Sequence, residues 1–121
     1  MEYLVAVSSS DGGMIDQHFG RTTEFHIFRV EDNENFRLVE RRVVMPPCRE
    51  GEHDPSQMAA AVAALSDCKY VLSAQIGRGA QVALQASGMI PLEIMHLIDY
   101  AMEKVMIYDK KFKHEKHERR N

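Results

Sequence analysis

The stretch KYVLSAQIGRGAQVALQASG, Lys69 to Gly88, decides the fold class of this 121-residue chain. Its first part, Lys69 to Ala74, is an apolar run of the kind found in strands that are buried on both faces. A glycine-bearing turn, IGRG, follows, and the rest predicts a helix that ends at Gly88. A strand followed by a crossover helix is the unit that joins parallel strands. We therefore predict an α/β fold.

Further strands and helices are predicted on both sides of this stretch. Three strands precede it, and the polar EDNEN turn makes a hairpin of the second and third. Asp54-Pro55 marks a helix start, because aspartate caps free amides and proline suits the first helical position. The predicted order is β-β-β-α-β-α-β-α with a mixed five-stranded sheet: strands Glu2–Val7, Phe25–Val30, Phe36–Val44, Lys69–Ala74 and Ile90–Met95, and helices from Pro55, from Ile76 and over Leu97–Tyr108.

This order of elements predicts the strand directions. The hairpin reverses the second strand, and right-handed helical crossovers leave the first, third, fourth and fifth strands parallel. Ligands of open α/β sheets bind outside the carboxyl ends of such strands. We therefore expect the loops DQHFGR (Asp16–Arg21) and PPCREGEHDP (Pro46–Pro55) to meet at that edge, together with the segments that follow the first, fourth and fifth strands.

Length and composition fit one soluble domain, which we place at residues 1–109. Residues 110–121 read as a basic, disordered tail, because six Lys/Arg and two Glu leave little apolar surface to bury. Since the chain carries −3 and this tail +4, the domain carries −7, which argues against a nucleic-acid binder. No apolar run approaches the roughly 20 residues that span a membrane. Two cysteines are too few for a disulfide scaffold, so we expect free thiols in a reducing cytoplasm.

His18 is the first candidate ligand. It precedes Phe19-Gly20, and an exposed imidazole beside a glycine that lets backbone approach closely suits a metal or an anion. A turn histidine that bonds the backbone fits the same pattern. Arg21 adds positive charge to the same turn.

Cys48 and His53 form a second candidate pair with the spacing C-x4-H. Arg49 and a nearby helix N-terminus favour the thiolate of Cys48. Thiolate and imidazole are soft ligands that suit iron–sulfur clusters or zinc. A closed zinc site needs four ligands, and no C-x2-C pair supplies the others. An exposed loop thiol without a ligand is the competing interpretation.

The turn Gly77-Arg78-Gly79 is a third candidate, because backbone amides at a helix N-terminus can hold an anion. It lacks the third glycine of a dinucleotide fingerprint and the Gly-Lys-Ser/Thr of a phosphate-binding loop. A tight turn with close helix packing explains the same glycines. The sequence also shows no pair of strand-borne carboxylates and no nucleophile elbow, which favours a binding protein over an enzyme. A metal-free module for a phosphorylated small molecule or nucleotide is the alternative function.

Two long segments, IDQHFGRTTEFHIFRV (Ile15–Val30) and ALSDCKYVLSAQIGRGAQVALQASGMIPLEI (Ala64–Ile94), resemble the nitrogenase accessory factors, also called the dinitrogenase iron–molybdenum cofactor biosynthesis domain. The Asp-x-His-Phe-Gly segment, followed by an x-Phe-x-Ile strand, carries the resemblance. The Ile-Gly-x-Gly-Ala helix start adds to it. With the opening strand and its glycine turn, which also match, the resemblance extends from the start of the chain to Ile94.

The resemblance implies a three-layer, ribonuclease-H-like α/β fold. It implies a small non-enzymatic carrier that binds the iron–molybdenum cofactor, or its iron–sulfur precursor, as cargo. The expected partners are nitrogenase cofactor-assembly proteins or apo-dinitrogenase. His18 is then the favoured cluster ligand, Cys48 the next, and His53 stands where some relatives have a second cysteine. Arg21, Arg78 and the amides of Gly77 and Gly79 would add positive potential for an anionic cluster.

Overall fold

The structure, a computed structural model, describes residues 1–49, 52–53 and 55–118. Its strands are β1 Glu2–Ser8, β2 Glu24–Glu31, β3 Asn35–Val43, β4 Cys48–Arg49, β5 Glu52–His53, β6 Cys68–Ser73 and β7 Ile90–Glu93. Its helices are α1 Pro55–Ala64, α2 Arg78–Ala86 and α3 Ile98–Glu118, and a 3₁₀ helix covers Phe19–Arg21. No helix among these residues has the length and apolar character needed to span a membrane.

Five of the strands form one mixed sheet in the order β3-β2-β1-β6-β7. β2 is antiparallel to both of its neighbours, whereas β6 is parallel to β1 and to β7. The predicted five-stranded mixed sheet, its three helices and its strand directions are therefore confirmed. The carboxyl ends of β1, β3, β6 and β7 all lie at one edge, which we call the carboxyl edge.

Each face of the sheet carries its own apolar core, so the fold has three layers. Phe25 and Ile27 of β2 point into the core covered by α1 and α2. Phe28 and Val30 of the same strand point into the core covered by α3. Alternate side chains of a strand point to opposite faces, and β2 is apolar on both because both faces are covered. Each fully buried side chain of this size contributes roughly 1.5–3 kcal/mol to folding.

A buried carboxylate attaches α3 to the end of the sheet opposite the carboxyl edge. Asp109 is fully buried and accepts hydrogen bonds from Tyr70 Oη at 2.6 Å and Asn33 Nδ2 at 2.9 Å, with Lys69 Nζ at 2.6 Å. Tyr3 Oη donates to Asn33 Oδ1 at 2.6 Å, which orients the Asn33 amide toward Asp109. Strand, hairpin turn and helix therefore share one polar cluster.

On the other face of the sheet, Arg42 attaches a helix to a strand. Its guanidinium bonds the Glu40 and Asp67 carboxylates and donates to the Ala64 carbonyl oxygen at 2.8 Å. Ala64 is the last residue of α1, where carbonyl groups lack helical partners. The hydrogen bonds that Arg42 donates to Glu40 and Asp67 raise the pKa of its guanidinium. β3 is thereby joined to the end of α1.

The structure differs from the sequence prediction in two segments. Residues expected to form an irregular loop after β3 include the two-stranded hairpin β4–β5. α3 also continues through Lys110 to Glu118, where we expected a disordered tail. Lysine and glutamate are good helix formers, and extending an existing helix avoids the cost of nucleation. The predicted capping residue Asp54 and the end of the tail, residues 119–121, lie outside the described residues.

Candidate functional site

The loop between β1 and β2 lies across the carboxyl edge and is held there by backbone hydrogen bonds. Near its start, Ile15 N donates to His96 O and Ile98 N donates to Gly13 O, both at 2.9 Å. Further along, Ala74 N donates to Gln17 O and Phe19 N to Gln75 O, again at 2.9 Å. The loop is therefore fixed against the ends of β6 and β7 at two places.

His18 stands between these anchors with its side chain exposed. Phe19 beside it is fully buried and packs against the tilted ring of Phe25, with ring centroids 5.7 Å apart. The His18 carbonyl oxygen accepts from Thr22 Oγ1 at 2.7 Å and from Arg21 N at 3.1 Å. Within the described part of the chain, its imidazole has no hydrogen-bond partner. The competing interpretation, a turn histidine whose ring bonds the backbone, does not fit this geometry.

A shallow open depression of ≈ 250 Å³ surrounds the imidazole. It is lined by Asp16, Gln17, His18 and Arg21. The Arg21 guanidinium is exposed and forms no ion pair with a described residue. Asp16 is already engaged, because it accepts from the Ser10 amide at 2.9 Å and from the Ser10 hydroxyl. The His18 imidazole and the Arg21 guanidinium are thus both available in the depression.

The hairpin β4–β5 meets this loop, as the strand directions predicted. Cα atoms of β4 lie within 8 Å of those of the 3₁₀ helix Phe19–Arg21. Cys48 and His53 are direct cross-strand partners in the hairpin. The backbone therefore brings the second candidate pair to the segment that follows His18.

The turn Gly77-Arg78-Gly79, which leads into α2, begins three residues after Ala74, where the His18 loop is bonded to the sheet. Gly77 caps α2 with φ −59° and no side-chain hydrogen bond, and a Cβ there would meet nothing within 4 Å. Close packing therefore does not explain this glycine. Free amides at the start of α2 can face an anion, and the Arg78 side chain is exposed without a described partner. The Ile76 amide is not available, because it donates to Glu93 Oε2 at 2.7 Å.

Two residues at this edge gained a role that the sequence did not indicate. Glu93, at the end of β7, caps the turn before α2 through Ile76. His96 accepts from the Leu97 amide through Nδ1 at 2.8 Å and stacks on Tyr100, with ring centroids 3.8 Å apart. These contacts, with residues one and four positions further along the chain, orient the His96 ring.

The start of the same loop is organised around Asp11. Its carboxylate accepts from the amides of Gly13 at 2.8 Å and Met14 at 3.1 Å, and these bonds lower the pKa of Asp11. Gly12 has φ +81°, and a Cβ there would lie 3.3 Å from His26 Nε2. His26 is buried within β2. A glycine is required at position 12 for both reasons.

No cluster of three or more His, Cys, Asp or Glu side chains capable of holding a metal ion occurs among the described residues. Among the described residues of the carboxyl edge, His18 offers an exposed imidazole without a hydrogen-bond partner. One or two exchangeable ligands, with cationic groups around them, hold a cargo more loosely than a closed four-ligand site does.

Solved structures with this fold exist. The crystal structure of PH0822 superimposes with a TM-score of 0.65 over 85% of this chain and 88% of that one, at 22% identity. A protein of Methanocaldococcus jannaschii gives a TM-score of 0.56 over 88% and 89% of the two chains, at 18% identity. At these identities the likeness establishes the fold.

Curated relatives share more of the sequence. The FeMo cofactor biosynthesis protein NifB of Frankia alni is 37% identical over 105 residues, which are 84% of this chain and 20% of that protein. NifB of Azotobacter vinelandii is 34% identical over 91 residues, 73% of this chain and 18% of that protein. This chain therefore spans about a fifth of the length of the curated relatives it matches. Residues 1–107 match the family described as dinitrogenase iron-molybdenum cofactor. The chain belongs to that family.

Proposed function

We propose that this protein binds an iron–sulfur metallocofactor and carries it during nitrogenase cofactor assembly. The cargo is the iron–molybdenum cofactor, a related cofactor or its precursor. Membership of the family supports a role in the biosynthesis of that cofactor. One observation carries the proposal further: His18 presents an exposed, unpartnered imidazole from a loop anchored on both sides to the sheet.

In this proposal His18 is the principal ligand and Cys48 the second. His53, the cross-strand partner of Cys48, is an auxiliary ligand. Imidazole and thiolate bind iron in clusters, and thiolate is the softer of the two. Few protein ligands leave the remaining metal positions open to a receiving protein. A carrier needs this property because it must release what it binds.

Diffuse positive potential supplements these ligands. Clusters of this kind are anionic, and Arg21 and Arg78 present guanidinium groups without described ion pairs. The amides of Gly77 and Gly79 at the start of α2 add the positive end of the helix dipole. Such groups attract an anion without a bond that must be broken on release. Arginine is suited to this role because it is charged at every physiological pH.

Two further expectations belong to this proposal. The partners are cofactor-assembly proteins or apo-dinitrogenase in the cytoplasm, and the protein performs no reaction on the cargo. We also expect the three-layer fold to be of the ribonuclease-H-like type that the sequence resemblance implies. Fold alone does not determine function, so these expectations depend on the site.

The test is anaerobic titration of the purified protein with isolated iron–molybdenum cofactor or its iron–sulfur precursor, followed by visible absorption and gel filtration. His18→Ala should weaken co-elution of the cluster about tenfold or more, which corresponds to ~1.4 kcal/mol, and Cys48→Ala should weaken it less. Gln17→Ala is the matched control, because Gln17 lines the same depression but offers no soft ligand. Equal cluster binding by His18→Ala and wild type would refute the assignment.

A second candidate function is binding of a phosphorylated small molecule or nucleotide. It is favoured by the start of α2, where Gly77 leaves open space beside uncapped amides and Arg78. In that case phosphate compounds should raise the melting temperature of the protein, Arg78→Ala should abolish the rise, and His18→Ala should leave it unchanged. No rise with any phosphate compound would exclude this candidate.

A further inference from the structure

The candidate ligand His18 begins a tight turn that closes on Thr22. Phe19–Arg21 form a 3₁₀ helix, with His18 as its N-cap residue and Thr22 as its C-cap residue. The amide of Thr22 donates to the Phe19 carbonyl oxygen at 3.2 Å. Its hydroxyl reaches back along the turn and donates to the His18 carbonyl oxygen at 2.7 Å. Thr22 therefore ends the turn with its backbone and bonds the candidate ligand with its side chain.

The hydroxyl of Thr22 makes this bond from a buried position. Thr22 is fully buried, whereas His18 at the other end of the turn is exposed. A buried hydroxyl needs a hydrogen-bond partner, because it has been removed from water. The His18 carbonyl oxygen also accepts from Arg21 N, but at the longer distance of 3.1 Å. Without the hydroxyl, that oxygen would keep only the longer of its two bonds.

The peptide groups on both sides of the His18 Cα atom are held by hydrogen bonds. On the preceding side, the Gln17 carbonyl oxygen accepts at 2.9 Å from an amide in the segment after β6. On the following side, Phe19 N donates to Gln75 O at 2.9 Å, and the carbonyl group of the same peptide accepts from Thr22. The two peptide planes fix the direction of the Cα–Cβ bond, and hence the direction in which the imidazole leaves the loop. Of the bonds named here, the one from Thr22 comes from a side chain and can be removed by substitution.

The residue after Thr22 joins the same turn to the end of β3. Thr23 O accepts from Val44 N at 2.8 Å. Val44 follows the last residue of β3, and β4 begins four residues later at Cys48. The turn that Thr22 closes is therefore attached to the segment that leads to the second proposed ligand. A displaced turn would change the position of His18 relative to that segment.

We propose that Thr22 is the positioning residue for His18: its hydroxyl holds the turn in the conformation that directs the imidazole toward the cargo. This inference rests on the proposed function, in which His18 is the principal cluster ligand. Thr22 is buried, so it acts through His18 and does not contact the cargo itself. Groups that hold a metal ligand in place influence affinity without touching the metal. An imidazole that is already oriented binds without the entropic cost of ordering the loop.

Substitutions at position 22 separate the hydroxyl from the methyl group. Thr22→Val keeps the shape of the side chain and removes the hydroxyl, whereas Thr22→Ser keeps the hydroxyl and removes the methyl group. Thr23→Val is the matched control, because Thr23 is exposed and its side chain has no hydrogen bond to a described residue. If Thr22→Val does not fold, Thr22→Ala takes its place as a variant without the hydroxyl.

The first measurement is the anaerobic titration with isolated iron–molybdenum cofactor, with visible absorption and gel filtration. Loss of a group that orients a metal ligand typically weakens metal affinity by roughly 10–100-fold. Thr22 bonds the backbone of the ligand rather than its ring, so we expect a smaller effect, about fivefold weaker cluster binding by Thr22→Val. Thr22→Ser and Thr23→Val should bind within about twofold of wild type.

The second measurement needs no cargo. ¹⁵N relaxation of the free protein reports the picosecond-to-nanosecond mobility of the His18 and Phe19 amides. Their order parameters should be near ~0.85 in wild type, Thr22→Ser and Thr23→Val, and should fall toward ~0.6 in Thr22→Val. A substitution that only lowered the stability of the whole fold would not loosen these two amides selectively.

The outcomes separate this inference from the proposed function. If His18→Ala loses the cluster while Thr22→Val binds it as tightly as wild type, the role of Thr22 is overturned and the proposed function stands. Equal weakening in Thr22→Ser and Thr22→Val would also overturn it, because packing of the methyl group would then be the cause. Unchanged order parameters in Thr22→Val would do the same. If the wild-type protein binds no cluster, the proposed function is wrong and the inference falls with it.

Discussion

Replacing Asp109 with asparagine removes a buried charge while keeping the size of the side chain. The wild-type carboxylate is fully buried and is bonded by Tyr70, Asn33 and Lys69. A hydrogen bond to a charged group contributes ~1.5–3 kcal/mol. Lys69 is 38% exposed and can recover water contacts, so its share of the loss is small. We expect Asp109→Asn to lower the free energy of unfolding by about 3 kcal/mol and the melting temperature by roughly 10 °C.

The pH dependence of this loss identifies the charge as its cause. Burial by itself raises the pKa of Asp109, but hydrogen bonds from Lys69, Tyr70 and Asn33 outweigh it and lower the pKa below its ordinary value. A lowered folded-state pKa means that the carboxylate stabilises the fold above the unfolded-state pKa of ~3.9. This stabilisation is lost as the pH falls toward the folded-state pKa. The difference between wild type and Asp109→Asn should therefore be constant near neutral pH and shrink below about pH 4.

Urea denaturation of both proteins across this pH range measures the difference. Glu103→Gln is the control, because it neutralises an exposed acid on the same helix and should change the unfolding free energy by less than ~0.5 kcal/mol. A loss below ~1 kcal/mol at neutral pH would refute the estimate of the buried bonds. A loss that persists undiminished in acid would show that shape, rather than charge, is responsible.

Three other predictions concern stability and reactivity. Gly88→Ala should lower the free energy of unfolding by ~1 kcal/mol, because Gly88 follows α2 with φ +85°. Gly77→Ala, at φ −59° and with open space around a new Cβ, should change it by less than ~0.5 kcal/mol. Equal urea midpoints for the two variants would contradict this prediction. Arg42→Ala should lower the free energy of unfolding by ~1–2 kcal/mol. The loss should be smaller in high salt, because the partner carboxylates of Glu40 and Asp67 are exposed. A loss that does not depend on salt would indicate lost packing instead. Burial raises the pKa of the Cys68 thiol to about 12. In a Cys48→Ala variant, iodoacetamide at pH 8 should therefore modify Cys68 only when the protein unfolds. Rapid modification of the folded protein would contradict a buried thiol.

The sheet could be predicted because its strands and crossovers leave local patterns. β2 and β6 are short, mostly apolar runs with buried residues on both faces, and the helical patterns of α2 and α3 follow the last two strands within a few residues. Strand direction then followed from connection rules that hold for nearly all such folds. The meeting of the His18 loop with the Cys48 loop followed in turn, since both had to reach the carboxyl edge.

The contacts that hold the loops in place at the carboxyl edge could not be predicted in the same way. The pairing of His18 with Gln75, and the bond from Ile76 to Glu93, join segments that are distant in sequence. Neither the composition nor the hydrophobic periodicity of the sequence indicates such a pair. The continuation of α3 past Asp109 was missed for another reason: a polar, charged segment resembles a disordered tail in composition, although its residues favour helix.

The anchoring of the His18 loop has a consequence for the order of events during synthesis. His18 is synthesised before the residues that follow β6 and β7, yet the loop that carries it is bonded to those residues. A ribosome-bound chain that ends before Ala74 lacks the partners of Gln17 and Phe19, so its His18 belongs to an unanchored segment. Contacts between distant segments also form late in folding. The fully anchored carboxyl edge is therefore among the last parts of the protein to form.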